Sequence, residues 1–286
     1  MISDITLGQF FPGFSPIHKL DPRTKLITAF LYIVTVFFAN NPTGFLFLLL
    51  FTLSLVKISS ISFRVVFKGL KPIIFVLIFT ALLNMFLTTG SGEPLIEFYF
   101  IKIYTEGIIK ALFMALRVML LIMGTSILLT YTTSPIALTD GLESLLSPLK
   151  KIKVPVHSFA MMMSIALRFI PTLVEETEKI MNAQKSRGAD FSTGGLIKRA
   201  KALIPILVPL FVSSFKRADE LATAMECRCY RGDKNRTKLV KLSFSGADYA
   251  FIAAFIVICS ALILSSFLPY SFVSDSIVYK IFFFKI

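Results

Sequence analysis

Two arginines, Arg187 and Arg228, sit in a setting that points to recognition chemistry. Each lies near the end of a long helical pattern, in Ala183-Gln184-Lys185-Ser186-Arg187-Gly188 and Ala224-Met225-Glu226-Cys227-Arg228-Cys229, with alanine four residues before the arginine both times. A cation in a last helical turn complements the helix dipole, worth about 0.3–1 kcal/mol, and that would account for either arginine alone. The repetition, with small side chains beside each arginine, suits a projecting fork. A guanidinium so placed can pair bidentately with a carboxylate on another protein. The candidate residues are therefore Ser186, Arg187 and Gly188 at one tip, and Cys227, Arg228 and Cys229 at the other.

No other constellation competes. There is no Gly-x-x-x-x-Gly-Lys-[Ser/Thr] loop, and lysine never follows glycine, so nucleotide hydrolysis would have to reside on another chain. His18 and His157 are isolated, and Cys227-x-Cys229 supplies two ligands where a structural zinc site takes four. No metal, cofactor or catalytic residue is expected. Three cysteines, Cys227, Cys229 and Cys259, form no even set, so no disulfide framework is implied.

The elements that must position the arginines follow from composition. The 286 residues are 55% hydrophobic with a mean hydropathy of +0.78, too apolar for a soluble domain. The chain reads as a polytopic membrane protein. Its net charge of +13 would suit nucleic acid, but the cations follow the membrane connections and mingle with acids. Nucleic acid is not expected as a partner; the lipid bilayer is. No basic start, apolar run and small-residue cleavage site opens the chain, so its N-terminus is expected to be retained.

Lys19, Arg23 and Lys25 precede the first apolar run, which places that end in the cytoplasm. Leu26 to Ala39 and Phe45 to Val56 are short apolar runs around an Asn-Asn-Pro-Thr-Gly turn. Lys57, Arg64, Lys68 and Lys71 mark a cytoplasmic return, with Ile58 to Lys71 patterned like a helix in the interface. Pro72 to Leu87 leads to a loop with Glu93, Glu97 and Glu106 against Lys102, expected outside. Gly107 to Thr130 carries Lys110, expected to snorkel, and Arg117, expected to face the interior against an acceptor the sequence does not identify. Residues 132–246 hold 18 of the 30 Lys and Arg against 10 acids, a surplus that makes this region cytoplasmic. Ala247 to Phe267 crosses outward, leaving an apolar external tail with Phe282, Phe283 and Phe284.

The expected fold class is all-α, with about five transmembrane helices and a cytoplasmic region of long helices. Residues 1–131 form the N-terminal membrane helices, 132–246 the cytoplasmic helices with both arginine motifs, and 247–286 a last membrane helix and tail. Within the middle part, Ser134-Pro135 opens a helix closing near Pro148. Pro155 starts a second, to about Arg187, bent at Pro171 and roughly 45 Å long. A loop with Gly194-Gly195 leads to a third, Leu196 to about Arg231, bent at Pro205 and Pro209 and ended by Gly232.

These residues resemble the transmembrane T component, the EcfT type, of energy-coupling factor transporters. The likeness runs through Leu20-Asp21-Pro22-Arg23-Thr24-Lys25, Ser134-Pro135, Ala166-Leu167-Arg168-Phe169-Ile170-Pro171 and both arginine motifs. Ser186-Arg187-Gly188 matches the family's small-Arg-Gly pattern, whereas Cys227-Arg228-Cys229 departs from it with a cysteine on each flank, which leaves the backbone less free. The resemblance implies a non-catalytic subunit in the cell membrane that couples two cytoplasmic ABC-type ATPases to a substrate-capture S component for uptake of a vitamin or metal ion. Arg187 and Arg228 would each engage one ATPase. A secondary transporter, the main rival, would instead place ionisable groups or broken helices near the bilayer middle; apart from Lys110 and Arg117 the apolar spans lack them, and no carboxylate lies in their middles. A membrane assembly scaffold would tolerate loss of either arginine.

Overall fold

In the computed structural model, residues 10–39, 41–88, 96–98, 101–189, 191, 195–232 and 242–267 are described. Glu93, Gly194 and the apolar tail with Phe282, Phe283 and Phe284 lie outside them.

The first helix, α1 (Pro22–Phe38), begins four residues before the apolar run that opens at Leu26: Asp21 caps it, accepting the Arg23 N–H at 2.9 Å, and Pro22 supplies the first turn. Then follow α2 (Pro42–Ser59), α3 (Phe63–Leu70), a 3-10 turn at Lys71–Ile73 and α4 (Ile74–Leu87). Two three-residue strands, β1 (Ile96–Phe98) and β2 (Ile101–Ile103), pair antiparallel with Glu97 opposite Lys102. The helix α5 (Thr105–Thr125) runs on into a π-helical turn at Ser126–Tyr131. After α6 (Pro135–Leu146) and a 3-10 turn at Ser147–Ile152 come α7 (Val156–Ser186), α8 (Leu196–Cys227) and α9 (Gly246–Phe267). Apart from the small ribbon, the fold is all-α.

By contacts the chain divides into two units, one containing Pro135–Lys241 and the other Phe10–Ser134 with Leu242–Ile286. In the second, Tyr32, Val36, Leu48, Leu120, Leu128 and Phe255 form one buried cluster drawn from α1, α2, α5, the π turn and α9. Tyr32 is its hub. Its ring occupies the space a side chain at Gly124 would fill, and its hydroxyl donates to the Leu120 carbonyl at 2.9 Å beside Thr52 Oγ1 at 2.7 Å. Outward, Phe30, Phe47, Phe75, Phe79 and Val257 are left exposed, as the hydrocarbon interior of a bilayer permits.

Arg117 finds its acceptor in this unit. Its Nη2 donates to the Ala39 carbonyl at 2.7 Å, and the guanidinium lies 5.5 Å from the Phe45 ring centroid. Ala39 caps α1, where a carbonyl has no next turn to bond it. Lys110 is exposed, as snorkelling requires.

Among the described residues, five stretches are long and apolar enough to cross a membrane: Pro42–Ser59, Phe63–Leu87, Gly107–Tyr131, Val156–Ser186 and Gly246–Leu264. The chain is a multi-pass membrane protein. The set differs in membership from the sequence expectation: α1, with 17 residues, is too short to be counted, and α7 enters. The reason is the gradient along α7, whose first half holds Met161 to Met163, Leu167, Phe169 and Ile170 while its charges gather in the second.

In the unit of α6 to α8, α7 and α8 continue through Pro171, Pro205 and Pro209. The end of α8 needs a correction. It stops at Cys227, not near Arg231, because Cys229 rather than Gly232 supplies the left-handed residue that closes it.

Candidate functional site

Both arginines occupy the C-cap of their helix. Arg187 has φ −87° and ψ 7°, Arg228 φ −89° and ψ 15°. At the α7 tip the Gly188 N–H donates to the Lys185 carbonyl at 2.9 Å and the Ala189 N–H to the Gln184 carbonyl at 3.0 Å. At the α8 tip the Cys229 N–H donates to Glu226 at 2.8 Å and the Tyr230 N–H to Met225 at 3.0 Å. This is the Schellman closure built twice. The left-handed position is Gly188 at φ +85° in one case and Cys229 at φ +57° in the other. Cysteine meets the conformational demand despite its Cβ, at a cost of about 1 kcal/mol.

The closure turns the chain sharply and leaves the arginine at the corner. Ser186, Arg187 and Gly188 are exposed, as are Cys227, Arg228 and Cys229. Neither arginine has a carboxylate partner among the described residues. The two thiols flank one guanidinium, and no group of three or more His, Cys, Asp or Glu gathers anywhere among the described residues.

Two contacts tie the helices that carry the tips. Arg217 Nη2 on α8 pairs with Glu176 Oε2 on α7 at 2.6 Å, and Gln184 Nε2 approaches the Pro205 carbonyl at 3.5 Å. As the α7 number rises the α8 number falls, so the pair is antiparallel. Glu176 stands eleven residues before Arg187, and Arg217 eleven before Arg228. At the α-helical rise each tip is roughly 16 Å from the ion pair, in opposite directions along the hairpin. At the start of α7, His157 Nδ1 meets Glu143 Oε1 of α6 at 2.9 Å, both residues buried, which fixes α6 against α7.

A family model described as cobalt transport protein, CbiQ, matches residues 13–239, a span that includes both tips. The energy-coupling factor transporter transmembrane protein EcfT of Clostridium kluyveri is 54% identical over 264 residues, 92% of this chain and 97% of that one. Its counterpart in Ruminiclostridium cellulolyticum is 52% identical over 267 residues, 93% and 99% of the two chains. That of Bacillus subtilis is 51% identical over 262 residues, 92% and 98%. This chain belongs to the EcfT family.

As an EcfT-family member it is the transmembrane component of a transporter. The structure puts the six sequence-selected residues at two separate tips, three at each, and does not gather them into one site. Sequence reasoning missed the ion pair between the arms. Its signal, an acid and a base each eleven residues before an arginine, acquires meaning only once α7 and α8 are known to pair antiparallel.

Proposed function

We propose that this EcfT-family chain transmits motion from two cytoplasmic ABC-type ATPases to a substrate-capture membrane subunit, for uptake of a vitamin or metal ion, and is itself non-catalytic. In this reading residues 132–246 are the cytoplasmic coupling region, α7 included although its length and apolar first half would suffice for a crossing, and 1–131 with 247–286 the part held in the cell membrane. Arg187 and Arg228 each dock into one ATPase. The observation that carries the reading is the pair of equivalent closures, each presenting an exposed arginine, at the far ends of two arms of equal length about the Glu176–Arg217 pair. Two partners moving relative to one another would drive such a hairpin as a lever.

A face for the capture subunit fits the same helices. On α8, Leu203, Leu207, Phe211 and Phe215 recur every four residues and are exposed, with Ile204, Val208 and Val212 beside them. An apolar stripe of that kind suits a membrane-embedded partner. The test is uptake in whole cells. Arg187→Ala combined with Arg228→Ala abolishes transport while the chain still inserts at its normal level; undiminished uptake by the double variant would sink the proposal.

A further inference from the structure

The chain leaves the membrane unit after Ser134 and returns to it at Leu242. Both joints are held by the same short stretch of chain, within the membrane unit. Lys25, 2% exposed, points its Nζ at the Thr132 carbonyl, 2.8 Å away, and at the His18 carbonyl, 3.2 Å away. Arg23, two residues earlier, donates from Nη2 to the Leu242 carbonyl at 3.2 Å and lies 5.2 Å from the ring centroid of Phe244.

The surroundings stiffen each hold. The outgoing joint follows the π turn that ends at Tyr131, whose carbonyl accepts the Phe11 N–H at 3.1 Å. Thr132 and Thr133 turn their hydroxyls back to the Leu128 carbonyl at 3.0 and 3.3 Å. The returning joint is fixed by Asp248, also 2% exposed, which accepts the Asp21 N–H and the Ser245 N–H, each at 2.8 Å. Asp21 in turn caps α1 and lies 3.8 Å from Arg23 Nε. Burial pulls the Lys25 amine down to about 8, only partly offset by the negative charges of Asp248 and Asp21.

Burying an amine in a membrane protein merely to bond two carbonyls is a poor route to stability, since desolvation opposes it. What this arrangement supplies is position. We propose that Arg23 and Lys25 are positioning residues that clamp the two joints of the coupling region to the first turn of α1. They give the lever a fixed base, so that force applied at its tips moves the capture subunit instead of unravelling the joints. The inference rests on the coupling reading above and adds to it which residues hold the base.

The test uses the whole complex, this chain with its two ATPases and capture subunit, reconstituted in vesicles. Arg23→Gln with Lys25→Met is expected to leave assembly intact and ATP hydrolysis within about twofold of the parent, while substrate moved per ATP falls at least about tenfold, since the pair removes three charge-assisted hydrogen bonds, to Leu242, Thr132 and His18. Arg23→Lys, which keeps a cation in reach of Leu242, restores part of the coupling.

A second readout assigns each clamp to its joint. With Cys227, Cys229 and Cys259 replaced by alanine, a spin label at Ser243 gains mobility in Arg23→Gln alone, and one at Ile136 gains mobility in Lys25→Met alone. Phe244→Leu, which keeps the fold's charges, loosens the label at Ser243 in the same way. Unchanged substrate per ATP in assembled variants overturns the proposal, and so does equal loosening of both labels by either variant, the mark of general destabilisation. If the parent chain fails to bind ATPases at all, the coupling reading itself falls, a result separate from either.

Discussion

Glu176 and Arg217 form an ion pair at 2.6 Å, and each lies eleven residues before the arginine that ends its own helix. The pair pins the two arms at matched points. With the side chains 27% and 36% exposed, its direct worth is about 0.5–1 kcal/mol. Glu176→Gln or Arg217→Gln is therefore expected to lower thermal stability by only a few degrees, and the reversed pair Glu176→Arg with Arg217→Glu to recover most of the loss. A double-mutant cycle by thermal unfolding in detergent measures this. A coupling energy indistinguishable from zero would show that the ion pair does not hold the arms.

Gly188 and Cys229 do the same backbone task with different side chains, which sets up opposite responses. Gly188→Ala puts a Cβ into a left-handed residue and should weaken the α7 closure by about 1 kcal/mol; Cys229→Gly should strengthen the α8 closure by about as much. The amides to watch are Ala189 and Tyr230, which close the two turns. Hydrogen exchange should speed up about fivefold at Ala189 in the first variant and slow by a similar factor at Tyr230 in the second. Changes of the same sign at both would contradict the equivalence of the two caps.

These two caps also show what could be read from the sequence. Gly188 announced its role, because glycine after a basic last turn is the usual sign of a left-handed closure. Cys229 did not, and the helix end was misplaced toward Gly232, the next residue with the expected freedom. The helical character of α7 and α8 was legible because periodicity and capping are local. Arg117's acceptor was not: it is the Ala39 carbonyl, a backbone group that every residue owns and no sequence pattern marks. The same holds for Arg23 and Lys25, whose acceptors are the carbonyls of Leu242, Thr132 and His18. Their positions beside the first apolar run were legible, but not what they grip.

Arg117 is expected to serve the fold and not the transport cycle. It bonds a carbonyl at the end of α1 and covers the Phe45 ring. Arg117→Met keeps the length and loses the donors, and should cost about 1.5–3 kcal/mol, the range for a charged hydrogen bond in a poorly solvated place. Arg117→Lys should retain about half. Uptake per inserted molecule should stay close to that of the parent chain, measured in cells with the surface level quantified. A variant that inserts and folds normally yet fails to transport would assign Arg117 a role in the cycle.

The space at Gly124 is taken by the Tyr32 ring, so Gly124→Ala should strain the junction of α1 and α5 by about 1–3 kcal/mol through overpacking. Tyr32→Phe should not relieve it, because the ring carbons themselves meet the added Cβ, and it should cost a further ~1 kcal/mol from the lost hydroxyl bonds. Tyr32→Leu in the Gly124→Ala background should recover part of the strain. Unfolding temperatures of the four proteins decide it, and a stable Gly124→Ala chain would mean that α5 can shift freely at this contact.

The chemistry of the tips predicts their response to salt. If each guanidinium docks on a carboxylate, the attraction works across a solvated rim where the screening length shrinks from about 10 Å at 0.1 M to about 3 Å at 1 M. Association with the ATPases should then weaken steadily with added salt. Arg187→Lys or Arg228→Lys should bind less tightly than the parent, because an ammonium keeps the charge but loses the fork. Affinity of the purified chain for each ATPase, followed across salt concentration, separates two kinds of docking. A steep salt slope that flattens in Arg187→Ala assigns that tip to an ionic contact with the ATPase tested. A flat slope in the parent chain would mean that the arginine stems and the small residues beside them dock by apolar burial, and the charge would then be dispensable.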